Sequence, residues 1–260
     1  MLKRGQVTIF IVVGLLIILL VAAIFLVKAF FISSELKEID PAPILSDSVK
    51  SYIESCIEKT GKSALAFVAQ QGGYYELPAL AELGLPYYLY GNKSRLLSKK
   101  ELEQQISSYM NNELFFCIQN FIPFKKAGLD IEQKEIATVT KVFDEKVIFD
   151  VTLPVTIKQD ALSKSIAYFS ETAPSRLGVI HNATAEFMRI QVKDPGRICV
   201  SCLAALGIEK DLRTRMDLIN DSVIRFTIID ETIPEEPFEY LFLNKYEFTK
   251  EYEFAEEQIK

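Results

Sequence analysis

Histidine occurs once in this chain, at His181, and tryptophan not at all. A single imidazole excludes a metal centre built on clustered histidines. No Gly-x-Ser-x-Gly segment is present, so a hydrolase of the nucleophile-elbow type has no starting point. A phosphate-cradling loop is missing too, because Gly72-Gly73 lacks both the lysine and the strand context of such loops. His181 falls on the polar side of a predicted helix beside Asn182 and reads as a solvated side chain. The carboxylates Glu231, Glu235, Glu236 and Glu239 form a charge run that solvation explains, with no need for a glycosidase pair.

Positive charge is also scarce. Three of the 29 lysines and arginines (Lys3, Arg4, Lys28) and none of the 35 acids lie within residues 1–28, so the remainder carries a net charge near −9. Such a domain is a poor ligand for nucleic acid, whose phosphates require cations to displace their counterions. The same deficit opposes lying flat on anionic lipid.

The chain is rich in one long apolar run. From Val7 to Val27 only Thr8 and Gly14 interrupt aliphatic and aromatic side chains, and none is charged. As a helix these residues span about 31 Å, close to the hydrocarbon thickness of a bilayer. A cleaved secretory signal has a shorter apolar core, roughly 7–15 residues, and a small-x-small site. Here apolarity continues through Ala29, Phe30, Phe31 and Ile32. A retained single-pass anchor is therefore expected. Lys3, Arg4 and the α-amine precede the run, so the short N-terminal side is expected in the cytoplasm and the large domain outside the cell.

Lys3-Arg4-Gly5-Gln6-Val7-Thr8 resembles the archaeal class III signal peptide of type IV pilin-like proteins. The resemblance covers about the first thirty residues. It implies cleavage between Gly5 and Gln6 by a prepilin-type peptidase and assembly of the apolar helix into a filament core. The sequence departs from that pattern at Phe10, where the family usually has Glu.

Cysteines stand at 56, 117, 199 and 202. An even number in an outward-facing domain predicts two disulfides. Cys56 and Cys117 each fall on the apolar face of a predicted helix, so a bond between those helices is sterically reasonable. Cys199-Val200-Ser201-Cys202 is the one spacing with chemical content. Two thiols at a helix start can cycle between dithiol and disulfide, because the dipole stabilises a thiolate. A thioredoxin-like site, however, needs a strand leading into it, and here a helix precedes. A local structural bond is the expectation. A four-cysteine zinc site usually brings two close pairs, and only one exists. No cofactor is expected. Asn92, Asn182 and Asn220 each begin an Asn-x-Ser/Thr triplet and are candidate glycosylation acceptors, using three of seven asparagines.

Along the chain, Pro41 and Pro43 are expected to end the membrane helix and stalk, with Ser46 or Asp47 capping the next helix. Val49, Ile53, Cys56, Ile57, Thr60, Ala64, Phe67 and Val68 form its apolar face, and Gly72-Gly73 stops it. Tyr74, Tyr75, Tyr87, Tyr88 and Tyr90 lie in what reads as a loop. They are either packing residues, which is the preferred reading, or an interface for a protein or glycan. Ser98-Lys99-Lys100-Glu101 is a capping box opening a second helix. After Pro123 the period changes to two, with a hairpin across Asp144-Glu145-Lys146, a strand over residues 164–172, a helix capped by Ser175, a hairpin over Asn220-Asp221 and a final strand over 238–247.

The expected organisation is a cytoplasmic stub and transmembrane helix (1–33), a stalk (34–46), a helical subdomain (47–126), an antiparallel α+β subdomain (127–248) and an acidic tail (249–260). The fold class is α+β, an antiparallel sheet with helices on one face. Tyr52 and Cys56, Gln71-Gly72-Gly73-Tyr74, Pro86-Tyr87-Tyr88 and Cys117 resemble uncharacterised membrane-anchored proteins of small-genome archaea, a resemblance that implies no activity. The sequence thus predicts a non-catalytic protein on the outer face of the cell membrane, with an envelope protein or glycan as partner. The alternatives are a self-associating pilin-like subunit and an envelope thiol-disulfide oxidoreductase.

Overall fold

The computed structural model describes residues 41–232 and 237–248, with side chains from Ser46 onward. The apolar run, Gly5, Gln6 and the acidic tail lie outside the described residues. Among the described residues no helix is long and apolar enough to cross a membrane.

The architecture is α+β. Helix α1 (Pro41–Gln70) comes first. It begins at the prolines rather than after them, so the expected cap residues Ser46 and Asp47 lie inside the helix, which takes the place of the end of the stalk. Proline is tolerated in a first turn because the N–H it lacks would have had no partner there. The face predicted from the sequence is buried, with Val49, Ile53, Cys56, Ile57, Ala64 and Val68 enclosed. Phe67 instead stays partly exposed, its ring tilted against those of Tyr75 and Tyr109. Gly72 ends the helix with φ +57°, and the Gly73 N–H returns to the Val68 carbonyl at 2.7 Å.

Short strand β1 (Ala81–Glu82) and β2 (Leu85–Tyr90) follow, then β3 (Lys93–Ser94). The expected loop over 74–90 is thus corrected: its second half is a strand, and all but its last residue are buried. A strand enclosed on both faces shows no alternation, so period two does not reveal it. Helix α2 (Lys99–Ile118) opens on the predicted capping box, with both reciprocal bonds between Ser98 and Glu101 made. It buries Leu102, Ile106, Met110, Leu114 and Ile118. Gln119, Asn120 and Phe121 then take positive φ in succession, turning the chain into the short helix α3 (Ile122–Lys126).

Strands β4 (Asp130–Gln133), β5 (Ala137–Val142), β6 (Lys146–Gln159) and β7 (Leu162–Pro174) form one antiparallel sheet. Both β4 and β5 pair with β6, as does β7. Alternate residues of β6 from Val147 to Ile157 are buried. Helix α1 crosses this face closely at Gly61, where an added Cβ would stand 2.6 Å from the Phe149 ring.

Helix α4 (Leu177–Gln191) and α5 (Val200–Lys210) precede β8 (Arg213–Asn220), β9 (Val223–Asp230) and β10 (Phe238–Lys245). Residue Arg176 occupies the cap of α4, while the Ser175 hydroxyl accepts from the Leu177 N–H at 3.2 Å. The Asn220 side chain accepts the N–H groups of Ser222 and Val223, closing the β8–β9 turn.

The single antiparallel sheet expected is instead two sheets. The second has the order β1-β2-β10-β9-β8, and its β2–β10 pair is parallel. From Ser46 onward the described residues form one compact unit. Strand β2, from the expected helical subdomain, pairs with β10 of the expected α+β subdomain. Tyr88 stacks on Phe242 at 4.5 Å, Phe242 on Phe226 at 5.3 Å, and Phe187 of α4 meets Phe226 at 5.2 Å, an aromatic row binding helix to sheet.

Candidate functional site

The tyrosine segment divides by burial. Tyr88 is fully enclosed, its hydroxyl donating to the Gly72 carbonyl at 2.6 Å and sharing a 2.6 Å bond with the Tyr240 hydroxyl. Burial raises the pKa of both phenols well above the usual value, so they remain neutral. Tyr87 is also buried and donates to the Glu82 carboxylate. Burial, with that bond second, pushes its pKa up to about 12. Neither ring is available to a partner. Tyr74, Tyr75 and Tyr90 are half-buried. The Tyr75 backbone N–H reaches Gln105 Oε1 at 2.8 Å, and the Tyr90 ring lies 5.3 Å from the Lys245 ammonium.

The vicinal cysteines sit where the sequence places a helix start. Cys199 caps α5, Cys202 lies in its first turn, and the two sulfurs are bonded. Gln191, almost fully buried, holds the approach to Cys199. Its Oε1 accepts the Cys199 N–H at 3.1 Å, and its Nε2 donates to the Arg197 carbonyl at 2.6 Å. Beside the pair is an open cavity of about 520 Å³, whose walls include Ile190, Asp194, Ile198 and Val200. Asp194 and Arg197 there form an exposed ion pair at 3.0 Å. No general base stands against either sulfur among the described residues, so the arrangement as folded is that of a closed bond at a helix end. A reductant entering this cavity would meet a sulfur placed at the positive end of α5.

Cys56 and Cys117 are likewise bonded, with Cα atoms 5.6 Å apart. With all four sulfurs in disulfides, none is left as a thiolate ligand for zinc. Among the described residues no group of three His, Cys, Asp or Glu side chains converges as a metal site.

His181 is not the solvated residue expected. It is 6% exposed, and its Nε2–H donates to the Leu97 carbonyl at 2.9 Å. The segment leading into α2 covers that end of α4. Burial lowers its pKa, opposed by the Leu97 hydrogen bond. Of the three candidate acceptors, Asn92, Asn182 and Asn220 are all exposed. Asn182 sits in mid-helix and bonds Asp144 at 3.2 Å, while Thr184 of its triplet is wholly buried and bonded to the Ile180 carbonyl. Asn92 occupies the β2–β3 turn, and Asn220 is the last residue of β8, at the edge of the turn into β9. Of the carboxylate run, Glu231 pairs with Arg213 at 2.8 Å, and Glu235 and Glu236 lie outside the described residues.

Two arrangements escaped the sequence. Glu103, Ser107 and Asn111, four apart on α2, accept the N–H groups of Val142, Thr140 and Thr138 at 3.0, 3.0 and 2.7 Å. They close an edge that β5 would otherwise present to other chains. The i, i+4 spacing was visible, but it equally describes a solvated stripe. Arg176 forms the second: its guanidinium meets Asp230 at 3.0 Å and donates to the carbonyls of Lys210 and Asp211, capping the C-terminus of α5.

No family model, no curated protein and no solved structure matches the chain. What the fold and geometry define is an α+β unit with two disulfides.

Proposed function

We propose that the chain is a single-pass, membrane-anchored protein whose acidic α+β unit lies outside the cell and has a binding or structural role at the envelope. The observation that carries this reading is the Cys56–Cys117 bond downstream of the uncharged run from Val7 to Val27. A disulfide joining two helices persists in an oxidising compartment, and the run supplies the means of reaching one while staying attached. The partner is an envelope protein or glycan, and nucleic acid is disfavoured by charge. Protease added to intact cells should degrade the C-terminal unit, and non-reducing alkylation should find all four cysteines blocked. Protection of the unit until the membrane is opened would sink the reading.

The pilin-like alternative is supported by the length of α1 and its packing along a four-stranded antiparallel sheet at Gly61. It requires a mature N-terminus at Gln6, with the chain recovered in sheared surface fractions. Mass spectrometry that finds only chains beginning at Met1 or Leu2 would remove it.

A further inference from the structure

Helix α2 ends in an exposed apolar corner that the fold does not use. Phe116 is 67% exposed, Ile122 47% and Phe115 45%. The two phenylalanine rings lie 5.9 Å apart, and Lys125 and Lys126 follow one turn beyond Ile122. Between Glu113 and Asp130 the chain has these two cations and no acid, in a domain that is otherwise strongly acidic. The corner is also conformationally strained. Gln119, Asn120 and Phe121 all adopt φ near +50°, a region that non-glycine residues rarely occupy. What holds this turn is the buried Phe121 ring and Tyr52 of α1, whose hydroxyl bonds the carbonyls of Cys117 and Ile118 at 3.0 and 3.2 Å. The Cys56–Cys117 disulfide fixes the same corner to α1. Strain, clamp and staple together present Phe115, Phe116 and Ile122 rigidly to solvent.

The corner sits at the end of the compact unit where the chain enters. That unit begins at Ser46, and Tyr52 is six residues further, about 9 Å along the helix. Only residues 28–45 separate the unit from the apolar run, a reach of at most about 60 Å even when extended. Exposed aromatic and aliphatic side chains rimmed by lysine are the composition of the membrane–water interface. The two lysines complement anionic headgroups, while the acidity elsewhere keeps the rest of the domain away.

We propose that the Phe115–Lys126 corner inserts into the headgroup region of the lipid bilayer and sets the orientation of the domain on it. This rests on the anchor reading above. The absence of tryptophan makes the test clean. Three full-length variants, Phe116→Trp, Leu16→Trp and Tyr168→Trp, are reconstituted into phosphatidylglycerol–phosphatidylcholine vesicles with and without brominated acyl chains. Tyr168 is 81% exposed on the four-stranded sheet and serves as the control. The expected result is blue-shifted emission from Phe116→Trp that is lost on brominated lipid, with Tyr168→Trp unshifted and unquenched. Lys125→Glu with Lys126→Glu should reduce the Phe116→Trp quenching in these anionic vesicles, and unchanged quenching would overturn the electrostatic component. Water-like, unquenched emission from Phe116→Trp while Leu16→Trp is quenched overturns the proposal and leaves the anchor standing. Unquenched Leu16→Trp defeats the anchor reading itself. Blue-shifted but unquenched Phe116→Trp means that protein covers the corner, which also overturns the proposal.

Discussion

Replacing Cys56 and Cys117 together by alanine should cost far more stability than the same change at Cys199 and Cys202. The first bond joins residues 61 apart and the second residues 3 apart. On the chain-entropy scale, a closed loop of about 62 residues corresponds to about 4.3 kcal/mol at 25 °C and one of about 4 residues to about 1.9 kcal/mol. The structure widens the difference. Cys56 is buried between α1 and α2, so its bond also holds the strained turn that follows Ile118. The shorter bond fastens a helix cap that Gln191 already positions. The assay is urea unfolding of full-length double-alanine variants in mild detergent, followed by circular dichroism, with the slope m checked for constancy. Equal losses, or a larger loss at Cys199–Cys202, would refute the assignment of the long bond as the main covalent restraint. Titration with a thiol–disulfide buffer gives the companion measurement. The Cys199–Cys202 pair should be reduced first, and a reduction potential below about −300 mV for it would identify a structural bond and remove the oxidoreductase alternative.

Arg176→Ala should destabilise by about 3–5 kcal/mol, because it leaves the Asp230 carboxylate buried without its cation; a loss under about 1 kcal/mol in urea would contradict that role. His181 is held neutral by burial, so its folded-state pKa lies below the ordinary 6.5. As pH falls through 6.5 the unfolded chain takes up the proton first, and stability should decline until the lower folded pKa is passed. Between pH 7.5 and about 5.5 the wild type should therefore lose stability that His181→Gln does not, and parallel curves would refute the assignment. Glu103→Ala, Ser107→Ala and Asn111→Ala should each cost about 1–3 kcal/mol by stranding a β5 donor. Hydrogen exchange should then accelerate at Val142, Thr140 and Thr138 respectively, and unchanged exchange would exclude edge closure. Gly61→Ala should cost about 1–3 kcal/mol through overlap with Phe149, read as a shift in the urea midpoint.

Local chemistry is legible in the order of the amino acids alone. The three- and four-residue steps from Val49 to Val68 mark the buried face of α1, and Ser98 with Glu101 announces the start of α2, because helix faces and caps are set within a few residues. Strict alternation from Val147 to Ile157 shows which side of β6 faces a helix. Asn220 closes its own turn, and the parity of the cysteines pointed to the disulfides. Tertiary structure alone decided the rest, because each remaining feature depends on a neighbour distant in the chain. Leu85–Tyr90 pairs locally with β1 and β3 but is enclosed in the larger sheet by Phe238–Lys245 running parallel beside it, an association across some 150 residues with no local signature. His181 is buried because the segment around Leu97 lies over it. Arg176 becomes a hub only when the ends of α5 and β9 converge on it. The stripe Glu103, Ser107 and Asn111 becomes an edge closure only when β5 is laid against it. Solvation and burial offer a polar side chain the same sequence pattern; the choice between them is made by whatever the fold brings to its other side.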